Sequence, residues 1–551
     1  MGLFGSLYIG ASGLQTSQNA LNTTAHNLSN VDTGGYTRQQ VAQATRSYNT
    51  ISIDAKIVSN KQTGLGVYYA QTRQVRDYFL DQTYRREVGR MSFYNVTYAA
   101  FNQVEDLFGE FTGESFSDHL ANLKEAIDEI AKEPSSKVKQ GLLVQRASQF
   151  LERAKTIYDD MCDYQDNINK QVKDNVERVN KISQRIFELN NNILKIECGG
   201  IEHANDLRDE RNALLDELGS LIHIEYKEDF DGAVIVKAEG HQLVSRSNYF
   251  VIDVDRDPNT GFYTPYWKAD AREITLDDGT VVPDLSNSKV FDLTQTISTA
   301  RNTDIGVIKA QLLARGDHRA NYTDAERSQD DYNANISQSV IMSVQAEFDK
   351  LVHTIALKIN EALAVSADAD NGYLVDKDGN PIQLFQKIST PSYDENGNYI
   401  PEDLTPGEEN TLYTIANMII NPDLKKEPAL LGFVKPDEKE DFIKTIELLQ
   451  SVFTAEEHIL NPNVTNRTNL TDFYSNIISK VAYNGSVFKS VYENQTTTVE
   501  STEYARQQVV GVSDDEELSN MIRFQNAYNA SSRYINAINE MIEHIINRLG
   551  S

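Results

Sequence analysis

The chain has 551 residues, of which 81 are acidic and 52 are basic, so its formal net charge is −29 at pH 7. This length exceeds one ordinary hydrophobic core and predicts two to four domains. The acidic charge argues against nucleic acid as a partner, because phosphate binding needs a basic surface. No apolar run approaches the roughly 20 residues of a membrane-spanning helix, so we predict no membrane insertion.

The N-terminus lacks a basic segment followed by an apolar one, so we expect no conventional cleaved secretory signal. Residues 1–6 fit the short N-myristoylation pattern. Leu3 and Phe4 already belong to the apolar face of a predicted helix, however, so we do not expect lipidation. The two cysteines, Cys162 and Cys198, are too few for a disulfide scaffold or a metal cluster, and we interpret them as unpaired thiols.

The first predicted element is a helix over residues 6–30, ended by Gly34-Gly35. Small residues crowd its first half and would let another helix approach closely. Its apolar side chains recur every seven residues, at Leu7, Leu14, Leu21 and Leu28. Residues 37–75 are rich in Thr, Gln, Tyr and Val, which predicts extended or hairpin structure.

Helical patterns dominate residues 76–219, most clearly over 136–197, where the predicted rod would be about 90 Å long. Gly199-Gly200 should end this rod, and Gly219 should end a shorter helix over 205–218. The apolar stripe of the rod advances in steps of three and four through Ala154, Ile157, Met161, Tyr164, Ile168, Val172, Val176, Val179, Ile182, Ile186, Leu189, Ile193 and Ile196.

Alternating apolar residues and turn signals predict a β domain from residue 222 to about 304. A helical pattern resumes over 341–363. Residues 367–436 carry Asn-Gly and Asp-Gly pairs and several prolines, which predicts an inserted, surface-exposed β or irregular module. Helical signal returns near Glu440 and again over 471–508.

The last predicted helix opens with a capping box, in which Ser513 is the N-cap and Glu516 the third helical residue. Its apolar positions again repeat every seven residues, at Met521, Tyr528, Ile535, Ile542 and Leu549. An apolar stripe of this kind is stable only against another helix. We therefore predict that the two terminal helices pair, antiparallel or nearly so, and that these residues and the four leucines form an assembly seam.

These patterns predict an α+β fold: a discontinuous multidomain protein with a terminal-helix coiled coil, a long-helix stem and inserted, mainly β outer modules. The predicted domains are a terminal-helix assembly domain (1–60 and 507–551), a helical stem (61–221, 305–366 and 466–506), a β domain (222–304) and an inserted outer module (367–465).

Recognisable catalytic constellations are absent from the sequence. It contains no His-Glu-x-x-His, no P-loop and no dinucleotide-binding glycine pattern. Asp368–Gly372 is similar to the start of a calcium loop, but Gly379 stands where the closing glutamate belongs, which favours a hairpin turn. We therefore predict no enzyme and no catalytic, cofactor-binding or metal-binding residues. A glycosidase carboxylate pair leaves no spacing signature, so that alternative stays open.

Both ends of the chain carry motifs of a known family. The segments Ser12–Leu14, Asn19–Thr23, Asn27–Asn30 and Thr33–Gln39 closely resemble the N-terminal signature of bacterial flagellar rod, hook and hook-associated proteins. The C-terminal segments Glu517–Ile522 and Gln525–Tyr528, with Ala530, look like the other signature of these axial proteins. Gly35–Gln39, read Gly-Tyr-Thr-Arg-Gln, is similar to the hook–filament junction branch, as is Asn205–Arg211, whereas rod and hook proteins more often have Gly-Phe-Lys.

The resemblance implies a structural adaptor whose copies form a ring-like layer at the hook–filament junction. It implies that copies of the same chain, the hook protein and a second junction protein are partners. It also implies an extracellular location on the flagellum, type III export without a cleaved signal, and a cytoplasmic export chaperone. We place the chaperone contact, as a hypothesis, on Ile538, Ile542, Ile545 and Leu549.

Three alternatives remain at this point. The chain could be another flagellar axial subunit, such as a distal rod or hook protein. It could be an axial protein with an enzymatic insertion at 367–465. It could also be an unrelated coiled-coil scaffold, which would form stable soluble dimers.

Overall fold

A computed structural model describes residues 3–47, 49–54, 59–109, 115–200, 202–275, 281–368, 370, 373–405, 407–433 and 440–549. The α-helices in these ranges are α1 (Leu3–Ser29), α2 (Tyr78–Phe108), α3 (Phe116–Lys132), α4 (Lys137–Glu197), α5 (Asn205–Leu221), α6 (Val307–Arg315), α7 (Gln329–Asn335), α8 (Val340–Ala364), α9 (Pro422–Lys426), α10 (Glu440–Ser451), α11 (Leu470–Val510) and α12 (Asp514–Leu549).

The described strands form small sheets. They are β1 (Gln39–Thr45), β2 (Asn49–Asp54), β3 (Ser59–Thr63), β4 (Val67–Gln74), β5 (Ile224–Glu228), β6 (Val234–Ala238), β7 (His241–Val244), β8 (Ile252–Arg256), β9 (Tyr263–Trp267), β10 (Arg272–Thr275), β11 (Val281–Asp284), β12 (Phe385–Lys387) and β13 (Met418–Ile420). Antiparallel pairing joins β1 to β4, β2 to β3, β5 to β6 to β7, β10 to β11 and β12 to β13, and β8 pairs with β9. The predicted α+β class is confirmed.

The chain divides into two compact units. Unit 1 consists of residues 1–91, 177–252 and 495–551, and unit 2 consists of residues 92–176 and 253–494. Each unit is therefore built from segments that are distant in sequence. The four-part division that we drew from the sequence remains a prediction.

In unit 1, an asparagine side chain of helix α4 forms hydrogen bonds with the backbone of the β5–β6–β7 sheet. Asn190 donates to the Val234 carbonyl at 2.8 Å and accepts from the Val234 N–H at 3.1 Å. Asn180 makes the same pair of bonds with Ile252, at 2.7 and 3.0 Å. An amide side chain can replace a peptide group in this way, so the edge of each strand keeps its hydrogen bonds where it meets the helix.

The core of unit 2 contains a cluster of aromatic rings. The Phe116 ring lies 4.9 Å from that of Phe348, 5.0 Å from Tyr474 and 5.3 Å from Phe150, measured between centroids. Helix α3 begins at this cluster because Ser115 caps it, accepting a hydrogen bond from the Asp118 N–H. Edge-to-face and tilted ring pairs of this kind stabilise a core beyond the area that they bury.

Most of the predicted elements are confirmed. The helices expected over 6–30, 136–197 and 471–508 correspond to α1, α4 and α11, and the extended region after α1 contains β1 to β4. Gly200, with a φ of 65°, follows the end of α4 as expected. Met1, Gly2 and residues 369, 371 and 372 of the calcium-like turn lie outside the described residues.

One expectation was wrong, and two helices were not expected. Gly219 does not end its helix, which continues to Leu221; a Cβ at Gly219 would lie 3.2 Å from the Arg85 Cβ, so this glycine permits a close approach of α2. Helices α6 and α7 were missed, because they are short and lack a clear stripe. Within the module after residue 367, Leu384, Phe385 and Tyr413 are fully buried, and the surface exposure of the module as a whole remains a prediction.

Candidate functional site

The two ends of the chain meet in unit 1, where α1 packs against α12. A Cβ built on Gly10 would lie 2.8 Å from Ile535 Cγ1 and 2.9 Å from Tyr534 Cδ1. A Cβ on Gly13 would lie 2.9 Å from the Ser531 hydroxyl. The glycines therefore permit the close approach, and the order of these contacts shows that the helices run antiparallel.

The predicted seam residues of α1 lie only partly within this contact. Leu7, Leu14, Leu21 and Leu28 are each half-buried. The fully buried positions of α1 are instead small or polar, namely Gly10, Ser12, Thr16, Ser17, Ala20, Thr24 and Asn27. Helix α1 also packs on the antiparallel β1–β4 pair, which accounts for this second, polar face.

The seam of α12 shows the same partial cover. Met521, Tyr528, Ile535 and Ile542 are half-buried, and the side chain of Leu549 lies outside the described residues. Of the predicted chaperone-binding residues, Ile538 is buried and Ile545 is exposed. Several large apolar side chains of the two helices face solvent, namely Phe4, Tyr8, Leu518, Ile522, Met541 and Ile546.

A buried asparagine fixes the chain where α1 ends. The Asn27 side chain donates to the Gln39 carbonyl at 2.8 Å and accepts from the Gln39 N–H at 3.0 Å and the Tyr36 hydroxyl at 2.7 Å. These bonds fold residues 30–38 back against the helix. Asn27 belongs to the N-terminal signature motif. The motif therefore marked Asn27 as important, whereas the spacing of apolar residues could not, because Asn27 is polar.

An ion pair joins the two terminal signatures directly. The Arg38 guanidinium lies 2.9 Å from the carboxylates of both Glu516 and Glu517, and the Arg38 N–H donates to the Val510 carbonyl at 2.9 Å. Glu517 is almost completely buried. The Ser513 hydroxyl accepts from the Glu516 N–H at 3.5 Å, so Ser513 caps α12 as predicted, while the Glu516 carboxylate is directed to Arg38.

Helix α5 holds the segment that follows α1. The Asp209 carboxylate accepts from the Thr37 N–H at 3.2 Å and from the Gln74 amide at 2.7 Å. Burial raises the pKa of Asp209, and its hydrogen bonds to Thr37 act in the opposite direction. Asp209 therefore joins α5 to the start of β1 and the end of β4.

The basic residues of the same α5 motif point toward α4 and the β5–β6 turn. Arg208 forms a two-point contact with Glu197, with both N–O distances at 2.8 Å. Arg211 donates to the Asn190 side chain at 2.9 Å and to the Gly232 carbonyl at 2.6 Å. Burial lowers the pKa of Arg211 to about 10. The motif that carried the family resemblance is thus a structural junction.

A third contact of α5 reaches the segment that precedes α12. Asp216 accepts from Arg85 of α2 at 2.6 Å and from Arg506 of α11 at 2.7 Å. Arg506 also lies 3.1 Å from Asp81. Since α11 ends four residues after Arg506, this buried cluster anchors the chain just before the last helix begins.

The described residues also bear on metal binding and on membrane insertion. The described part of the chain contains no group of three or more His, Cys, Asp and Glu side chains that could hold a metal ion. None of its helices combines the length and the apolar character needed to cross a bilayer. Cys162 and Cys198 are both free thiols, and burial raises the pKa of Cys162 to about 12.

Three family models match the chain. The model described as "Flagellar hook-associated protein FlgK helical domain" matches residues 101–375. The model "Flagella basal body rod protein" matches residues 7–37, and "Flagellar basal body rod FlgEFG protein C-terminal" matches residues 507–549. The last two models therefore cover the two helices that meet at the site.

Full-length relatives and a solved structure agree with these models. Flagellar hook-associated protein 1 of Bacillus subtilis is 24% identical, with 98% of this chain and 96% of the relative covered. The protein of the same name from Salmonella typhimurium is 23% identical, with 97% and 98% covered. The fold is similar to the hook junction protein FlgK of Burkholderia pseudomallei, with a TM-score of 0.53, 12% identity, and 78% of this chain and 100% of that chain covered.

The two ends of the chain match models of axial proteins, and the region between them matches a helical domain of the same family. The chain is therefore a structural component of the bacterial flagellum. The chain belongs to the flagellar axial protein family, in the branch of hook-associated protein 1. The flagellum is thus the extracellular structure to which it contributes. The assembly role of the individual seam residues remains a prediction.

Proposed function

We propose that this chain is an adaptor subunit of the hook–filament junction, and that its copies form a ring-like layer through coiled-coil pairing of α1 with α12. The observation that supports this proposal is the incomplete burial of that helix pair. Half-buried leucines and exposed apolar side chains on both helices leave surface that only a neighbour can cover.

The energetics favour assembly over an isolated helix pair. Complete burial of a Leu or Ile side chain stabilises by about 1.5–3 kcal/mol. Half-buried seam positions obtain only part of this free energy within one chain, and the remainder becomes available when a second copy packs on them. The repeating contact must join two different faces of the subunit, because a self-complementary face would close into a dimer.

The proposed partners on either side of the layer are the hook protein and a second junction protein. The resemblance of Gly35–Gln39 to the junction branch and the names of the full-length relatives support this position. We also propose that the chain is exported unfolded through the flagellar type III channel, without a cleaved signal, and that it has no enzymatic role.

The assembly role is tested by placing a charge on the seam. Ile535→Asp and Leu21→Asp should leave a folded body that is secreted but does not assemble, because each carboxylate would enter a partly desolvated helix contact. The matched controls are Asn536→Asp and Asn22→Asp, which place the same charge on the exposed neighbouring residue.

The readout is motility and electron microscopy of cells whose only copy of the chain is the variant, with circular dichroism of the purified subunit. Loss of filaments with both seam variants, and normal filaments with both controls, is the expected result. Normal filaments with Ile535→Asp or Leu21→Asp would show that the seam is not the assembly element.

We also propose that an export chaperone covers α12 through Ile538, Ile542, Ile545 and Leu549. Ile538 is buried and α12 packs mainly on α1, so a chaperone that grips this residue would have to bind before the two helices pair. Chaperone binding and helix pairing would then exclude each other.

A pull-down from cytoplasm with the full chain and with a chain lacking residues 511–551 tests this site. Capture should be lost on truncation and reduced by Ile538→Asp, while the exposed Asn539→Asp should retain it. Equal capture by the full and truncated chains would refute the chaperone site without affecting the assembly proposal.

A further inference from the structure

Unit 2 contains a cavity that takes no part in the terminal-helix contact. Its volume is about 760 Å³, and its lining comes from residues 257–265, from 286–294 and from 312–339. Cavities of a few hundred to about 1,000 Å³ are typical of small-molecule sites, which combine apolar walls with a few converging polar groups. This volume alone does not indicate which ligand binds. The charge of one lining residue, Arg315, indicates that the ligand is an anion.

Arg315, the last residue of α6, is a buried cation that lines the cavity and has only neutral partners. Its Nε donates to the Gly316 carbonyl at 2.9 Å, and its Nη1 donates to the Asn169 side chain at 2.6 Å and to the Tyr263 carbonyl at 3.1 Å. Its guanidinium carbon lies 4.6 Å from the centre of the Phe262 ring. Only 3% of Arg315 is exposed.

The charge of Arg315 is therefore only partly compensated, by the attraction of Asp317. Within the described part of the chain no ion pair joins a carboxylate to its guanidinium within 4.0 Å. Burying an uncompensated charge is costly, and an anion held against it would relieve that cost. The same burial lowers the pKa of Arg315 to about 10, which still leaves it protonated at neutral pH.

The rest of the lining narrows the class of anion. Three carboxylates, Asp257, Asp292 and Asp317, line the cavity together with two further basic residues, Lys289 and His318. With Arg315 the acidic and basic side chains balance in number, so a singly charged carboxylate disturbs this balance less than a doubly charged phosphate would. Hydroxyl and amide groups, including Thr264, Ser286 and Asn287, offer donors and acceptors for a hydroxylated ligand.

We propose that this cavity binds a small hydroxylated monocarboxylate of the sugar-acid class, whose carboxylate is held by the guanidinium of Arg315. The proposal does not depend on the assembly role of the terminal helices. It gives the extracellular protein a second property, the capture of acidic sugars.

Isothermal titration calorimetry of the full chain tests the proposal, with D-glucuronate as the probe and D-glucose as its neutral counterpart. Glucose retains the hydroxylated ring but lacks the carboxylate. Its affinity should therefore be lower by a factor of about ten or more, given the strength of a charge-assisted hydrogen bond. Equal affinity for the two sugars would overturn the proposal. So would binding of inorganic phosphate without binding of glucuronate, or no glucuronate binding at millimolar concentration.

Two tryptophan variants locate the site without altering Arg315. Asn335 is exposed and lines the cavity, so Asn335→Trp should block it and abolish glucuronate binding. Ser337 is exposed, lies two residues away and does not line this cavity, so Ser337→Trp should retain binding. Retention of full affinity by Asn335→Trp would refute the site, and circular dichroism would confirm that both variants fold.

Discussion

Helix α4 and the terminal helices carry the same three-and-four spacing of apolar residues, yet their burial differs. On α4, Ile157, Ile168, Ile186 and Leu189 are completely or almost completely buried. On α1 and α12 the seam residues that the structure describes are only half-buried. A periodic pattern therefore predicts that a face exists, whereas the number of elements packed around the helix decides how completely that face is covered.

The two regions also differ in what they bury. The interior of α4 is mainly aliphatic, whereas α1 buries hydroxyl groups. Thr16 and Ser17 donate to the carbonyls of Ser12 and Gly13 at 2.8 Å, so their hydroxyls are satisfied within the helix. Small, internally bonded side chains let α1 approach its neighbours without a large hydrophobic contribution, which agrees with the proposal that assembly supplies part of the stabilisation.

The largest expected effect comes from the interior of α4. Ile186→Ala should lower the free energy of unfolding by about 3–4 kcal/mol, because it leaves a cavity in a closed environment. Ile196 belongs to the same predicted stripe but is 47% exposed, so Ile196→Ala should change stability far less. Urea denaturation followed by circular dichroism measures both, and similar losses would mean that burial does not distinguish the two positions.

Removal of the carboxylate that joins α2, α5 and α11 should have the next largest effect. Asp216→Ala leaves Arg85 and Arg506 without this partner, and we expect a loss of about 2–3 kcal/mol, since an uncompensated buried charge is costly. The adjacent Glu217 pairs with Arg178 at the surface, so Glu217→Ala should cost about 0–1 kcal/mol. Equal effects in the same denaturation experiment would contradict the distinction between buried and surface pairs.

A smaller change addresses the terminal pair itself. Alanine in place of glycine favours a helix by about 1 kcal/mol. At Gly5, where a Cβ would meet nothing within 4 Å, Gly5→Ala should therefore stabilise α1. At Gly10 the new methyl group would press on Ile535 and Tyr534, so Gly10→Ala should weaken the contact by about 1 kcal/mol net.

Hydrogen exchange of α12 provides the readout for this glycine pair. Faster exchange in Gly10→Ala and unchanged or slower exchange in Gly5→Ala is expected. Identical exchange in the two variants would mean that the close approach at Gly10 does not hold the helices together.

The smallest predicted effect is a pH dependence confined to unit 2. Burial alone would lower the pKa of His318, but the carboxylates of Asp317 and Asp324 outweigh it and raise the pKa to about 9. A raised histidine pKa adds stability that is complete below the unfolded value of about 6.5 and is lost as the pH rises through 9. The midpoint temperature of thermal unfolding should therefore decrease as the pH is raised from 6.5 to 9.

The variant His318→Gln provides the comparison for this pH dependence. It should show a flatter profile over the same range, because it removes the group that titrates. A wild-type profile as flat as that of the variant would show that His318 is not stabilised by its two carboxylates.

Several features could be predicted because they depend on local pattern. The spacing of apolar residues predicted α1, α4, α11 and α12, and Ser513 predicted the cap of α12. The signatures at both ends predicted the flagellar family that the comparisons support. Short elements such as α6, and the continuation of α5 through Gly219, were missed because neighbouring segments, not their own pattern, determine them.

The sequence by itself determined where the long helices run, that both terminal helices carry an apolar stripe, and that the ends of the chain belong to axial proteins. These properties reside in residue spacing and in short motifs, which are local. Only the tertiary structure decided that Arg38 would meet Glu517, that asparagines on helices would replace peptide groups for neighbouring strands, and that Arg315 would be buried beside a cavity. Such contacts join residues that are far apart in sequence. The spacing of residues within one segment does not determine which distant group will form the ion pair or hydrogen bond with a buried charge or amide.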